Sequence, residues 1–161
     1  MTGPGYDVLV GVHVLSAVVG FGSVGVSGTY AARARSAPNP RRDAVLLRYF
    51  RPGVNWAERF LLFTPVVGGV VLWVGDRSAA SQAWPWIGLG CWTCAAAMAT
   101  AWCWPAERRI QSWLVGADDH EESPPPTLSD FRSSCRAVQW SASAISVCFA
   151  AAVVVMVGQP H

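Results

Sequence analysis

The chain has 161 residues, of which 52 % are hydrophobic and only 14 % charged, with a net charge of +2. A soluble domain carries about a quarter charged residues, so the polar surface that water demands is missing. All twelve basic residues are Arg, and so small a net charge excludes a nucleic-acid binder that works by bulk charge as well as an acidic disordered chain.

Windows of about 19 residues resolve four stretches of membrane length. The first covers residues 8–32 and contains His13. No Arg or Lys precedes it, and it is longer than a signal-peptide core of about 7–15 residues, so it reads as a retained helix. The second, 54–75, is the shortest and borrows Val54 to Ala57 to reach across. The third is 84–104 and the fourth 137–158. Buried helices of a soluble bundle would show a charged residue at every turn of a water-facing side, and none of these does. The expectation is an all-α polytopic protein. It forms one four-helix membrane domain over residues 1–161, with loops at 33–53 and 105–136 and short interfacial helices on the cytoplasmic side.

Arginine placement sets the topology. Seven lie around the first loop (Arg33, Arg35, Arg41, Arg42, Arg48, Arg51 and Arg59) and four in the third connection (Arg108, Arg109, Arg132 and Arg136). The short second connection has one, Arg77 beside Asp76, and neither terminus has any. The Arg-rich side is therefore read as cytoplasmic and both termini as external. The all-Arg bias fits a GC-rich bacterial genome, which places the protein in a bacterial inner membrane. Trp84 and Trp86 open the third span, Trp102 and Trp104 close it, and Trp56, Trp73 and Trp140 sit near the ends of the others. That is an aromatic belt at headgroup level. Pro105 is expected to end the third helix.

In the first loop, Leu46, Leu47, Tyr49 and Phe50 alternate with Arg48 and Arg51. This predicts a short interfacial helix with its apolar face in the lipid boundary and its arginines on anionic headgroups. In the second, Ile110, Trp113 and Leu114 fall at helical spacing. The acidic run Asp118, Asp119, Glu121 and Glu122, with His120 solvated among them, leads to Pro124–Pro126 and reads as a spacer. Thr127 to Asp130 has the pattern of a helix start, so the fourth helix begins before the bilayer.

The segment Gly20–Gly28 matches GxGxxG, but no strand precedes it, so the dinucleotide reading fails. In a membrane span Ser16, Gly20, Gly22, Gly25 and Gly28 instead admit a neighbouring helix closely, as do Gly68 and Gly69 in the second span. Pro65 kinks the second helix, and Thr64 is placed to re-satisfy the freed carbonyl.

His13 stands as an intramembrane ionisable residue about two turns from the outer end of its span. Cys91, Cys94 and Met98 follow i, i+3, i+7 on one face of the third span at similar depth. An imidazole, two thiols and a thioether would suit copper as Cu(I), and His13 with Met98 could hold a haem. Against this stands plain packing, since Cys and Met are common buried residues and all five Cys can stand in for Ala. A second polar group, Asn55, Glu58 and Arg59, lies at the cytoplasmic mouth of the second span, with Gln139 of the fourth on the same side. There Glu58 is either an ion-pair anchor or a general base for an amphiphilic substrate.

The opening VLVGVHVLSAVVGFGSV resembles the first helix of the small DUF2269 membrane proteins. RFLLFTPVVGGVVLWVG, WPWIGLGCW and WPAERRIQSW are similar to the rest of that family, and the copper-resistance CopD group is more distantly alike. The first likeness implies a small integral membrane protein without an assigned activity, and the second implies copper handling with His13 as a ligand. Three functions follow. The first is a non-enzymatic small-molecule or ion-handling module or a subunit of a membrane complex. The second is a copper or haem protein built on His13, Cys91, Cys94 and Met98. The third is a membrane enzyme acting on a lipophilic substrate through Glu58, Arg59 and Asn55. The expected partners are anionic lipid at the Arg-rich loop and a second copy or complex subunit, with no nucleic acid.

Overall fold

The computed structural model describes residues 3–75, 80–116 and 127–158. Asp76 and Arg77, the acidic run around His120, and Pro124–Pro126 lie outside them. Among the described residues there is no strand, and the chain runs as α1 (Pro4–Ser36), a 3₁₀ turn (Pro40–Arg42), α2 (Ala44–Tyr49), α3 (Trp56–Val74), α4 (Ala83–Met98), a π turn (Ala99–Cys103), α5 (Trp104–Val115) and α6 (Leu128–Val157). Four stretches are long and apolar enough to cross a membrane: Pro4–Ser36, Trp56–Val74, Ala83–Val115 and Leu128–Val157.

These helices overrun the apolar windows because a helix need not stop where the lipid does. The 33 residues of α1 make a rod of about 50 Å at ~1.5 Å per residue, against a hydrocarbon core of ~30 Å. Asp7 in its first turn and Arg33 and Arg35 in its last turn both complement the helix dipole. The helix formed by α4, the π turn and α5 likewise runs straight through Pro105, which was expected to end it. Proline cannot donate to the carbonyl four residues back, and just before it the turns widen to π geometry at Ala99–Cys103, where the Trp104 N–H reaches the Ala99 carbonyl five residues back. The helix ends instead at Gly116, whose φ of 70° is the left-handed cap and whose N–H bonds the Ser112 carbonyl.

Side chains that water would reject cover the outside. Val8, Leu15, Val66, Val147 and Val154 are each more than 60 % exposed, which lipid accepts and water does not. Trp56, Trp73, Trp86, Trp102 and Trp140 are exposed too, as an interfacial belt requires. Trp104 is not part of that belt, because it is buried.

The described chain divides into two units. Unit one draws on the described parts of Met1–Val24, Asn55–Ala97 and Ile145–His161. Its tightest point is Gly20 of α1 against α3, where a Cβ would lie 2.7 Å from Leu61 Cα and 3.0 Å from the Phe60 carbonyl carbon. Phe21 stacks on Phe149 at 4.5 Å. Gly22 and Gly69, expected at helix contacts, face open space instead. Each lies two or one residues from a contact glycine, which at 100° per residue turns it off the contact face.

Unit two comprises Gly25–Val54 and the described part of Met98–Ala144. Gly28 meets Ala142, with only 2.7 Å left for a Cβ. Trp113 is clamped between Phe131, stacked at 4.1 Å, and the Arg41 guanidinium, 4.3 Å from its ring. The interfacial helix forms as α2, but its apolar face is not given over to lipid. Leu46 and Phe50 are fully buried, and Tyr49 stacks on Tyr30 at 4.0 Å. The helix start at Thr127 is made as the sequence implied: Thr127 N–H donates to Asp130 Oδ2 and Asp130 N–H donates to Thr127 Oγ1, a reciprocal cap.

In the same unit, Asp43 caps α2 by accepting from the Val45 and Leu46 amides, and it pairs with Arg33 at 3.0 Å. Partial burial pushes its carboxyl up, but the Arg33 hydrogen bond and the two amides outweigh this and hold it below the ordinary carboxylate range. A lowered folded value adds stability above the unfolded pKa, and that stability is lost as pH falls through the folded one. Acidification below about pH 4 is therefore expected to loosen α2, read as shifts in the Ala44–Tyr49 amide resonances. Asp43→Asn should keep the fold of α2 at neutral pH while abolishing this pH response. An unchanged response in that variant would remove Asp43 as its source.

Candidate functional site

Three polar groupings are built into the described helices. The first surrounds Leu61 in unit one. Pro65 has no N–H, so the Leu61 carbonyl four residues back loses its helical donor. The sequence pointed to Thr64 as the remedy, but the Thr64 hydroxyl donates to Phe60 at 3.3 Å. The Leu61 oxygen is satisfied by the Trp92 indole N–H of α4, at 2.7 Å. One turn further, the Thr64 carbonyl accepts from His13 Nδ1 at 3.0 Å. A carbonyl only accepts, so Nδ1 carries a proton. The imidazole lies flush on Gly68, where a Cβ would come 2.9 Å from Cε1. Gly68 is therefore small to admit the His13 ring. Ser16 completes this corner by donating to the His13 carbonyl at 2.8 Å.

The copper and haem readings rested on His13, Cys91, Cys94 and Met98. Among the described residues no three His, Cys, Asp or Glu side chains are grouped so as to hold a metal ion. His13 is turned to α3, Cys91 is half-buried on α4 and Cys94 is exposed.

The second grouping is at the start of α3. Asn55 and Glu58 have the spacing of a capping box, but Asn55 makes no side-chain cap bond. Its amide instead donates to Glu58 Oε1 at 3.0 Å. Glu58 is fully buried, on the same face of α3 as Leu61 and Thr64. Two of the three residues proposed at this mouth are thus in direct contact, and Arg59 beside them is half-buried. A carboxylate withdrawn from water needs a hydrogen-bond donor, a cation or a proton close by. Here the Asn55 amide is one such donor.

The third grouping, in unit two, was not foreseen. Glu107 of α5 is only 6 % exposed. Ser27 of α1, itself fully buried, lies 2.7 Å from the Tyr49 hydroxyl and donates to Glu107 Oε1 at 3.5 Å. Tyr49 is held in place by its stack on Tyr30. The signal was present in the spacing: Glu107 stands three residues before Ile110 and seven before Leu114, on the apolar face of α5 where a solvated acid does not belong. Gln139 of α6 also buries its side-chain oxygen, with no hydrogen-bond partner among the described residues.

Four apolar membrane-length helices, with two buried acids among the described residues, define a multi-pass integral membrane protein. The chain belongs to the DUF2269 family, described as a predicted integral membrane protein, which it matches over residues 7–160. No curated protein and no solved structure matches it.

Proposed function

We propose that the protein is a non-enzymatic membrane module that binds a small cationic species, with Glu58 as the group that holds it. The single observation behind this reading is the complete burial of Glu58 in a membrane-length helix. Ionisable side chains in such helices are costly and mark ion or substrate pathways. The local structural role that would otherwise account for it is weakened, because Asn55 and Glu58 bond each other and Asn55 caps no backbone amide. We further place the chain in a bacterial cytoplasmic membrane with both termini outside. Eleven of its twelve arginines fall in or beside the first and third connections, and positive charge favours the cytoplasmic side. On that topology Glu58, in the first turn of α3, opens toward the cytoplasm.

The test is thermal stability of the detergent-purified protein against sodium, potassium, methylammonium and tetraphenylphosphonium, wild type beside Glu58→Gln. A saturable ligand at about 100 times its Kd adds roughly 2.7 kcal/mol of stability, which a melting curve resolves. At least one of these cations is expected to stabilise the wild type. Glu58→Gln should weaken that cation by tenfold or more while melting near the wild type without it. No saturable stabilisation by any of the four, or equal stabilisation of both proteins, overturns the reading.

A further inference from the structure

Two of the arginines around α2 are occupied by the protein itself. Arg33 pairs with Asp43, and Arg41 donates to the Trp113 carbonyl at 3.0 Å while covering the Trp113 ring. Arg132 and Arg136 differ. They stand four residues apart on one face of α6, both exposed, and neither has an ion-pair partner among the described residues. With Ser129, Ser133 and Trp140 they line an open, shallow groove along one face of α6, in unit two.

We propose that this groove binds the headgroup of an anionic phospholipid. Two arginines one helical turn apart place two guanidinium groups on the same groove, and the planar fork of Arg is suited to a phosphodiester. Trp140, one turn further along the same face, is 71 % exposed and has the amphipathic ring that favours the headgroup layer. From Ser141 to Val157 the helix carries no charged side chain, so beyond the tryptophan the sequence has the character of an acyl environment. Cations, then an interfacial aromatic, then apolar helix is the polarity order of a phospholipid read from headgroup to tail. A free anion would have no use for the last two. The inference is independent of Glu58 and of any transported species.

Native mass spectrometry of the full chain, released from detergent with added phosphatidylglycerol or phosphatidylcholine, tests it. The wild type is expected to retain phosphatidylglycerol at least tenfold more tightly than phosphatidylcholine, with millimolar inorganic phosphate failing to displace it. The double variant Arg132→Gln with Arg136→Gln should lose that preference. The charge-matched Arg108→Gln with Arg109→Gln, on the exposed face of α5, should keep it, and Trp140→Ala should weaken retention of both lipids. Equal loss in the two double variants would reduce the effect to general surface charge and overturn the proposal. Displacement by inorganic phosphate alone would make the site a free-anion site and overturn it too. The chain's own Asp118, Asp119, Glu121 and Glu122 are the rival occupant. If phosphatidylglycerol is preferred only after those four are neutralised, they fill the groove and the lipid does not.

Discussion

Gly20→Ala is expected to destabilise the protein severely, while Gly22→Ala, two residues away on the same helix, leaves it unchanged or slightly firmer. At Gly20 the added methyl would press on the backbone of Leu61 and Phe60 in α3. Backbone cannot rotate aside as a side chain can, so the two helices must separate. Overpacking of this kind costs about 1–3 kcal/mol where side chains can yield, and more where they cannot. In lipid the loss is sharper still, because association of membrane helices depends on close van der Waals packing rather than on expulsion of water. Gly22 meets nothing within 4 Å, so Ala there only adds helix propensity, about 1 kcal/mol in a soluble helix interior. Gly68→Ala should fall between the two. The methyl would meet the His13 ring, which can swing away at the loss of its bond to the Thr64 carbonyl. Melting of the three variants in one detergent gives the ranking. A Gly20 variant that melts with the wild type would mean that α1 and α3 are not held at that point.

How much of this could be read from residues alone depended on whether the signal was local. The membrane helices were legible because an apolar run of about twenty residues has few other uses, and the cap at Thr127 was legible because its donor and acceptor lie three residues apart. The bounds of α1 were not, since it projects past its apolar window at both ends with turns that hydropathy ignores. Pro105 misled for a related reason. A proline in the first turn of a helical stretch need not stop it, and the π turn that precedes Pro105 at Ala99–Cys103 has no simple sequence mark. At the polar sites the contact of Asn55 with Glu58 was readable from spacing. Which way His13 points was not, because helix rotation is set by partners. The four-residue set of His13, Cys91, Cys94 and Met98 relied on an assumed rotation, whereas His13 is turned onto Gly68 and Thr64 of α3. Glu107 could have been found by extending the stripe of Ile110, Trp113 and Leu114 back one turn. What spacing could not supply is that Ser27 and Tyr49, far off in the chain, would close on it.

Trp92→Phe is expected to cost about 1–3 kcal/mol through one orphaned carbonyl, the penalty for leaving a buried acceptor unmade, and Pro65→Ala should rescue most of it. Leu61 is fully buried and its oxygen receives the Trp92 indole N–H at 2.7 Å. The indole stands in for the amide that proline lacks. Phenylalanine keeps much of the ring's bulk but has no donor, and neither water nor lipid supplies one at that depth. Alanine at position 65 restores a backbone N–H, which can bond the Leu61 oxygen in the ordinary helical manner. In that background Trp92→Phe should lose only packing, so the double-mutant cycle should show a coupling of about 0.5–3 kcal/mol, as for directly linked groups. Equal cost of Trp92→Phe with and without proline would show that the indole packs at Leu61 without replacing the missing bond. The coupling carries a consequence for the site itself. The carbonyl that Trp92 satisfies lies one turn from Glu58 and one turn from Thr64, where His13 is bound. Restoring the backbone N–H at position 65 by Pro65→Ala should therefore move His13 relative to Glu58, and a shift of the His13 ring resonances in that variant, with Trp92 intact, would register it.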